Sequence, residues 1–100
     1  MEIIHLENED FKKIIQEESP ILVDFYANWC GPCKMLSPIL EKVNSDIKVI
    51  KVDTDKFEKL SREYGIMSIP TIILFENGAE VRRNIGFMSQ EQVEKFINEK

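Results

Sequence analysis

The run "ILVDFYA", residues 21–27, is apolar, β-branched or aromatic at nearly every position and has no period-2 alternation that would give it a wet face. A strand of that kind has to be covered on both sides. Helical patterns flank it. "EDFKKIIQEE" places Phe11, Ile14 and Ile15 along one face behind a cap at Asn8 or Asp10, and Ser19-Pro20 ends it. After the strand, Met35, Leu36, Ile39, Leu40 and Val43 form a second stripe, in which Pro38 predicts a kink.

The rest of the chain continues the alternation. "IIHL" reads as a short first strand and "IKVIKVD" as the next long one, and "KFEKLSREYG" puts Phe57, Leu60 and Tyr64 on one helical face with Gly65 at the C-terminal cap. "PTIILFENGAEVRRNIG" holds two strand runs around Asn77-Gly78, a pair that accepts the positive φ angles of a tight hairpin. "SQEQVEKFINEK" opens with Ser89 and Gln92 at capping-box spacing and buries Val93, Phe96 and Ile97. Strands alternating with helices imply right-handed parallel crossovers, and the closing hairpin adds antiparallel partners. The expected fold is an α/β sandwich, one domain over residues 1–100, with a mixed sheet between helices.

Composition narrows the function. A formal net charge of −5 leaves no basic surface with which to displace counterions from nucleic acid or anionic lipid. The longest apolar run, "IMSIPTIILF", is too short for a bilayer, and "MEIIHLENEDFKK" lacks the basic start and apolar stretch of a secretion signal. A cytoplasmic protein with no membrane and no nucleic-acid partner is expected. In that compartment a close cysteine pair points to redox or metal chemistry rather than a permanent staple.

Cys30 and Cys33 are the only cysteines, in "NWCGPCK", where strand gives way to helix. In α/β sheets chemistry collects at the carboxyl ends of strands. A cysteine in the first helical turn meets unpaired backbone N–H groups and the positive end of the helix dipole, which favour the nucleophilic thiolate. Cys33, three residues on, lies on the same face, close enough for a disulfide after small adjustment. Pro32 fits a first turn because its missing N–H has no helical partner there, and Gly31 lets a substrate backbone come close. A zinc site would need more ligands than two cysteines and the distant His5, so no metal is expected. His5 is placed at a surface or strand edge. Inert thiols would require a buried Cys30, for which Asn28, Gly31, Pro32 and Lys34 make a poor setting. Asp24 interrupts an otherwise apolar strand, so its carboxyl is either buried, with a raised pKa, or faces water from an edge strand.

"VDFYANWCGPCK", followed in order by "SPIL", "KVDTD", "YGIMSIPTIILFENG" and "IGF", resembles the thioredoxin family over essentially the whole chain. The resemblance implies a five-stranded mixed sheet in the order 1-3-2-4-5 with four helices. It implies that Cys30 attacks a client disulfide and that Cys33 resolves the mixed disulfide, leaving a reversible Cys30–Cys33 bond. It further implies that Asp24 accepts the Cys33 proton through water, that Lys51 lies near that acid, and that the Ile69–Pro70 bond is cis. Trp29, Gly31, Pro32, Ile69, Pro70 and Gly86 would outline the client groove, with the Ile69 backbone pairing with an extended peptide. No bound cofactor is implied, since reducing equivalents would come from NADPH through a partner flavoprotein, thioredoxin reductase, or from a ferredoxin-linked enzyme. The expected chain is a monomer serving disulfide-containing client proteins.

Two departures stand out. Tyr26 occupies a position where many family members carry a first tryptophan, and Met67 and Phe87 flank the groove segments as either core fillers or an added apolar rim. Three functions fit this reading: a general disulfide reductase, an oxidase or isomerase on the same fold, and a noncatalytic subunit that binds through the groove. The Gly-Pro spacer favours the first, because it supplies no histidine to stabilise the Cys30 thiolate and so favour the reduced form.

Overall fold

The computed structural model describes residues 1–99, in the order β1 (Glu2–His5), α1 (Phe11–Glu17), β2 (Ile21–Tyr26), α2 (Gly31–Lys42), β3 (Lys48–Asp53), α3 (Glu58–Glu63), β4 (Thr71–Glu76), β5 (Ala79–Ile85) and α4 (Gln90–Asn98). The five strands form one sheet, β1-β3-β2-β4-β5. β1, β3 and β2 run parallel, while β4 is antiparallel to β2 and β5. Order, mixed character and helix number match the expected fold. β1 starts one residue before the expected run, and Leu6, at that run's end, is buried just beyond the strand.

Side-chain alternation along the central strand explains why both faces are covered. Ile21, Val23 and Phe25 point into one apolar cluster with Phe11 and Ile15 of α1 and Leu60 of α3. Leu22 points into the other, with Leu36 and Leu40 of α2 and Val93 and Phe96 of α4. Each fully buried side chain of this size contributes about 1.5 to 3 kcal/mol of transfer free energy. Period 2 then puts Asp24 on the Leu22 face, under α2 and α4. On β3, Val49 belongs to that same face and Ile50 and Val52 to the opposite one, so Lys51 also projects toward α2.

The caps fall where chemistry requires them. Asp10 rather than Asn8 caps α1, its carboxylate accepting from Lys13 N at 3.3 Å, and Ser89 and Gln92 form the expected capping box on α4. Gly65 ends α3 with φ +66°. α2 continues as one helix through Pro38, so this proline does not end the element. Met35 corrects the expected stripe: it is exposed, because the sheet-facing row is Cys33, Leu36, Leu40 and Val43. Ile97 is half-buried rather than buried.

The hairpin between β4 and β5 has Asn77 at φ +53° and Gly78 at φ +82°, the left-handed pair of a two-residue turn that matches strand twist. A Cβ on Gly78 would meet the exposed, movable end of Gln16, so the backbone angle sets most of the cost of a side chain there. Gly78→Ala is expected to destabilise the fold by roughly 1 to 2 kcal/mol. Urea unfolding would show this as a lower midpoint at unchanged slope.

Candidate active site

The carboxyl end of β2 delivers both cysteines. Cys30 is the N-cap of α2, with extended backbone (φ −87°, ψ 112°), and its Sγ accepts from Cys33 N at 3.2 Å. Pro32 is the second residue of the helix, where no N–H is missed. Lys34 N closes the first helical bond to Cys30 O at 3.1 Å. Cys30 and Cys33 are joined in a disulfide with Cα atoms 5.2 Å apart, within the usual range for this bond.

Both cysteines are buried, Cys30 at 5% exposure, so the expectation that burial would mark an inert thiol needs correction. Burial here coexists with access. Cys30 borders an open groove of about 530 Å³ that also meets Trp29, Gly31, Pro32, Thr54, Ile66, Met67, Ser68 and Ile69. Its Sγ lies 3.8 Å from Ile69 O, a contact without a hydrogen in the disulfide that a reduced thiol could turn into a weak hydrogen bond.

The opposite wall is fixed by short-range bonds. The Ile69–Pro70 peptide bond is cis, and so is Ser19–Pro20, for which the sequence carries no corresponding signal. Thr71 Oγ1 donates to Ser68 O at 2.6 Å and Gly86 N to Pro70 O at 2.8 Å. Pro70 is buried behind Ile69, and Gly86 holds it from the side; neither is among the residues lining the groove. Trp29 is 70% exposed and its Nε1 donates to Asp55 Oδ2 at 2.9 Å, tying one wall to the loop after β3. Asp53 fastens the same loop, accepting from Asp55 N at 2.9 Å and from Asn28 Nδ2 at 3.3 Å.

Thr54, Ile66 and Ser68 line the groove and were not singled out from sequence. The strand-end rule could have pointed to Thr54, which follows β3 directly. Met67, 94% exposed, adds to the apolar rim. Phe87, 42% exposed, borders a separate hollow with Asn84, Ile85 and Met88. It therefore does not enlarge the groove.

Beneath α2, Asp24 is buried at 1% exposure on the central strand, which rules out the edge-strand reading. Lys51 is its register partner on β3, with Nζ 4.0 Å from Oδ2. Asp24 Oδ1 has no hydrogen-bond partner among the described residues, whereas the buried hydroxyls of Ser61 and Thr71 both donate to backbone carbonyls. Burial pushes the Asp24 carboxyl up to about 6, with Lys51 pulling the other way. Lys51 Nζ also donates to Ser37 Oγ and sits 4.5 Å from the Tyr26 ring centroid. Lys51, Ser37, Tyr26 and Cys33 share a second hollow of about 260 Å³ with Ala27, Asn28, Lys34 and His5, and His5 is exposed on the edge strand β1.

A buried acid of raised pKa under a cysteine-bearing helix, and an apolar groove beside the outer cysteine, form a site suited to thiol-disulfide exchange. Comparison with known proteins agrees. The sequence profile of the Thioredoxin family matches residues 2–99. The thioredoxin of Rickettsia felis is 42% identical over 91 residues, covering 87% of this chain and 87% of the relative. That of Haemophilus influenzae is 35% identical over 103 residues, covering 98% and 96%. Among solved structures, a mutant thioredoxin from Halobacterium salinarum superposes with a TM-score of 0.89 at 31% identity, over 96% of this chain and 88% of the other. Sequence, fold and the Cys30–Cys33 bond thus agree, and the chain belongs to the thioredoxin family of protein-disulfide oxidoreductases.

Proposed function

We propose that this thioredoxin works as a general reductase of client proteins in the cytoplasm, as a monomer, with Cys30 as nucleophile and Cys33 as resolving thiol. The observation that carries the reading is the position of Cys30, a helix N-cap whose sulfur borders the groove beside Ile69 O. In the reduced protein the Cys30 thiolate attacks one sulfur of the client disulfide and expels a client thiolate. Cys33 then loses its proton to the Asp24 carboxylate, by way of water, and attacks Cys30 Sγ. The Cys30–Cys33 bond forms and the second client sulfur leaves as thiolate; two electrons have passed to the client, whose two thiolates take one proton by way of Asp24 and one from water.

Several features support the division of labour. With its carboxyl near 6, Asp24 is mostly ionised at neutral pH yet far more basic than an ordinary aspartate, which suits a proton acceptor. The Trp29 and Ile69 walls, with Gly31 and Pro32 between, offer an apolar trough for an extended client segment, and Pro70 and Gly86 hold the Ile69 backbone in place. Lys51 limits the cost of ionising Asp24. Oxidised protein is returned to the dithiol by thioredoxin reductase, so NADPH and flavin stay with the partner and this chain binds no cofactor.

Two measurements test this reading. A redox titration should give a potential at or below the cytosolic glutathione poise, roughly −220 to −320 mV; a value above about −200 mV would replace the reductase by an oxidase or isomerase. Cys33→Ser should keep the attack by Cys30 but accumulate its mixed disulfide with the client, since no second thiol releases it. Non-reducing mass spectrometry that found no Cys30 adduct under client excess would remove Cys33 from the resolving role.

A further inference from the structure

We propose that Ser37 is a positioning residue for the buried acid: its hydroxyl holds the Lys51 ammonium off Asp24 and so sets the pH at which the carboxyl titrates. The proposal rests on the proposed role of Asp24 only for its kinetic consequence.

Lys51 has three partners to choose from. Its Nζ donates to Ser37 Oγ, lies 4.5 Å from the Tyr26 ring centroid, and stops 4.0 Å from Asp24 Oδ2, beyond hydrogen-bond distance. The carboxylate is the strongest electrostatic attractor of the three, yet it stays farther from Nζ than the Ser37 hydroxyl does, and its other oxygen has no hydrogen-bond partner among the described residues. Ser37 comes from α2, one turn beyond Cys33, on the same side of the helix as the cysteine the acid would serve. The hydroxyl therefore draws the ammonium toward the second hollow and keeps it from closing on the acid.

The surroundings leave few other candidates for this control. Lys51 is the charged group that acts on Asp24, and it opposes the larger effect of burial. From β2 itself Tyr26 faces the same hollow; from α2 come Cys33, tied in the disulfide, and Lys34; from β1 comes His5. The β4 residue in register with Asp24 is Ile72, and α4 packs on this side of the sheet with Val93 and Phe96, none of them titratable. Without the Ser37 hydroxyl, the ammonium has the carboxylate as its remaining strong acceptor, and a closer pair favours the ionised acid.

The test follows the Asp24 carboxyl carbon by ¹³C NMR in the oxidised protein, where neither cysteine titrates, with Asp24→Asn assigning the resonance. Ser37→Ala should move the midpoint toward acid by about one pH unit. Ser37→Thr, which keeps the hydroxyl, should restore the wild-type midpoint, and Lys51→Met should move it toward alkali. Adding Ser37→Ala to Lys51→Met should change nothing further. An unchanged or more alkaline midpoint in Ser37→Ala would overturn the proposal. The pH profile of the Cys33 resolving step, measured by stopped flow with a model client, should follow the same acid shift. If the carboxyl midpoint moves and the rate profile does not, the positioning by Ser37 stands and the role of Asp24 as proton acceptor falls.

Discussion

Replacing Cys30 with serine is expected to bring the reduction of an exposed protein disulfide down to the rate of dithiothreitol alone. The loss is chemical rather than structural. Cys30 is the N-cap of α2, and its sulfur accepts from Cys33 N at 3.2 Å. Serine is among the best N-cap residues and can accept the same bond, so helix and groove should persist. The hydroxyl, however, stays protonated at neutral pH and cannot displace a thiolate from sulfur, and the helix terminus cannot bring its pKa into range. Unfolding curves for Cys30→Ser should be compared with those of reduced wild type, since the substitution also removes the disulfide. A variant that kept catalytic rates would move the nucleophile elsewhere, and Cys33 is the only other thiol in the chain.

The second large effect concerns Asp24, where stability and rate should move in opposite directions. Burial raises its folded carboxyl to about 6, against 3.8 for an unperturbed aspartate, so the native state holds the proton more tightly than the unfolded chain does. Stability therefore falls as pH rises from about 4 to about 6, and the full penalty persists above. Asp24→Asn removes that penalty and should stabilise the protein at pH 7 by up to about 3 kcal/mol, the gain shrinking toward pH 4. The same change removes the acceptor proposed for the Cys33 proton, and the resolving step should slow on the order of a hundredfold. Urea unfolding across pH reads the first half and stopped-flow exchange the second. A variant less stable at pH 7, with unchanged kinetics, would assign Asp24 a structural hydrogen bond instead of a catalytic proton.

How far these roles could be read in the sequence depended on whether their physics is local. The Asn77-Gly78 turn, the Ser89–Gln92 capping box and the placing of Cys30 and Cys33 at a strand–helix junction each lie within a few residues, and each was legible. Asp24 was legible because a carboxylate inside an apolar strand has so few acceptable environments. The groove wall was only partly so: Thr54 comes from the loop after β3 and Ile66 and Ser68 from the segment before β4, brought to Cys30 by sheet order. The bond between Lys51 and Ser37 spans a strand and a helix and has no sequence signature. Met35 misled for a different reason. A helical stripe read by period alone includes its own margins, and only packing against the sheet decides which flank stays wet.

The chain has one tryptophan, and the fold places it at the rim of the groove, 70% exposed, next to Cys30 in sequence and hydrogen-bonded to Asp55. Its indole thus already meets water in the native state, while the core is built from other side chains. Ultraviolet emission from this protein is consequently expected to report poorly on the melting of the core and well on the sulfur pair that borders the same groove, since a disulfide near an excited indole can quench it. A single intrinsic chromophore would let oxidation, reduction and client docking be followed in real time without any attached dye, while the collapse of the sheet would have to be watched by circular dichroism.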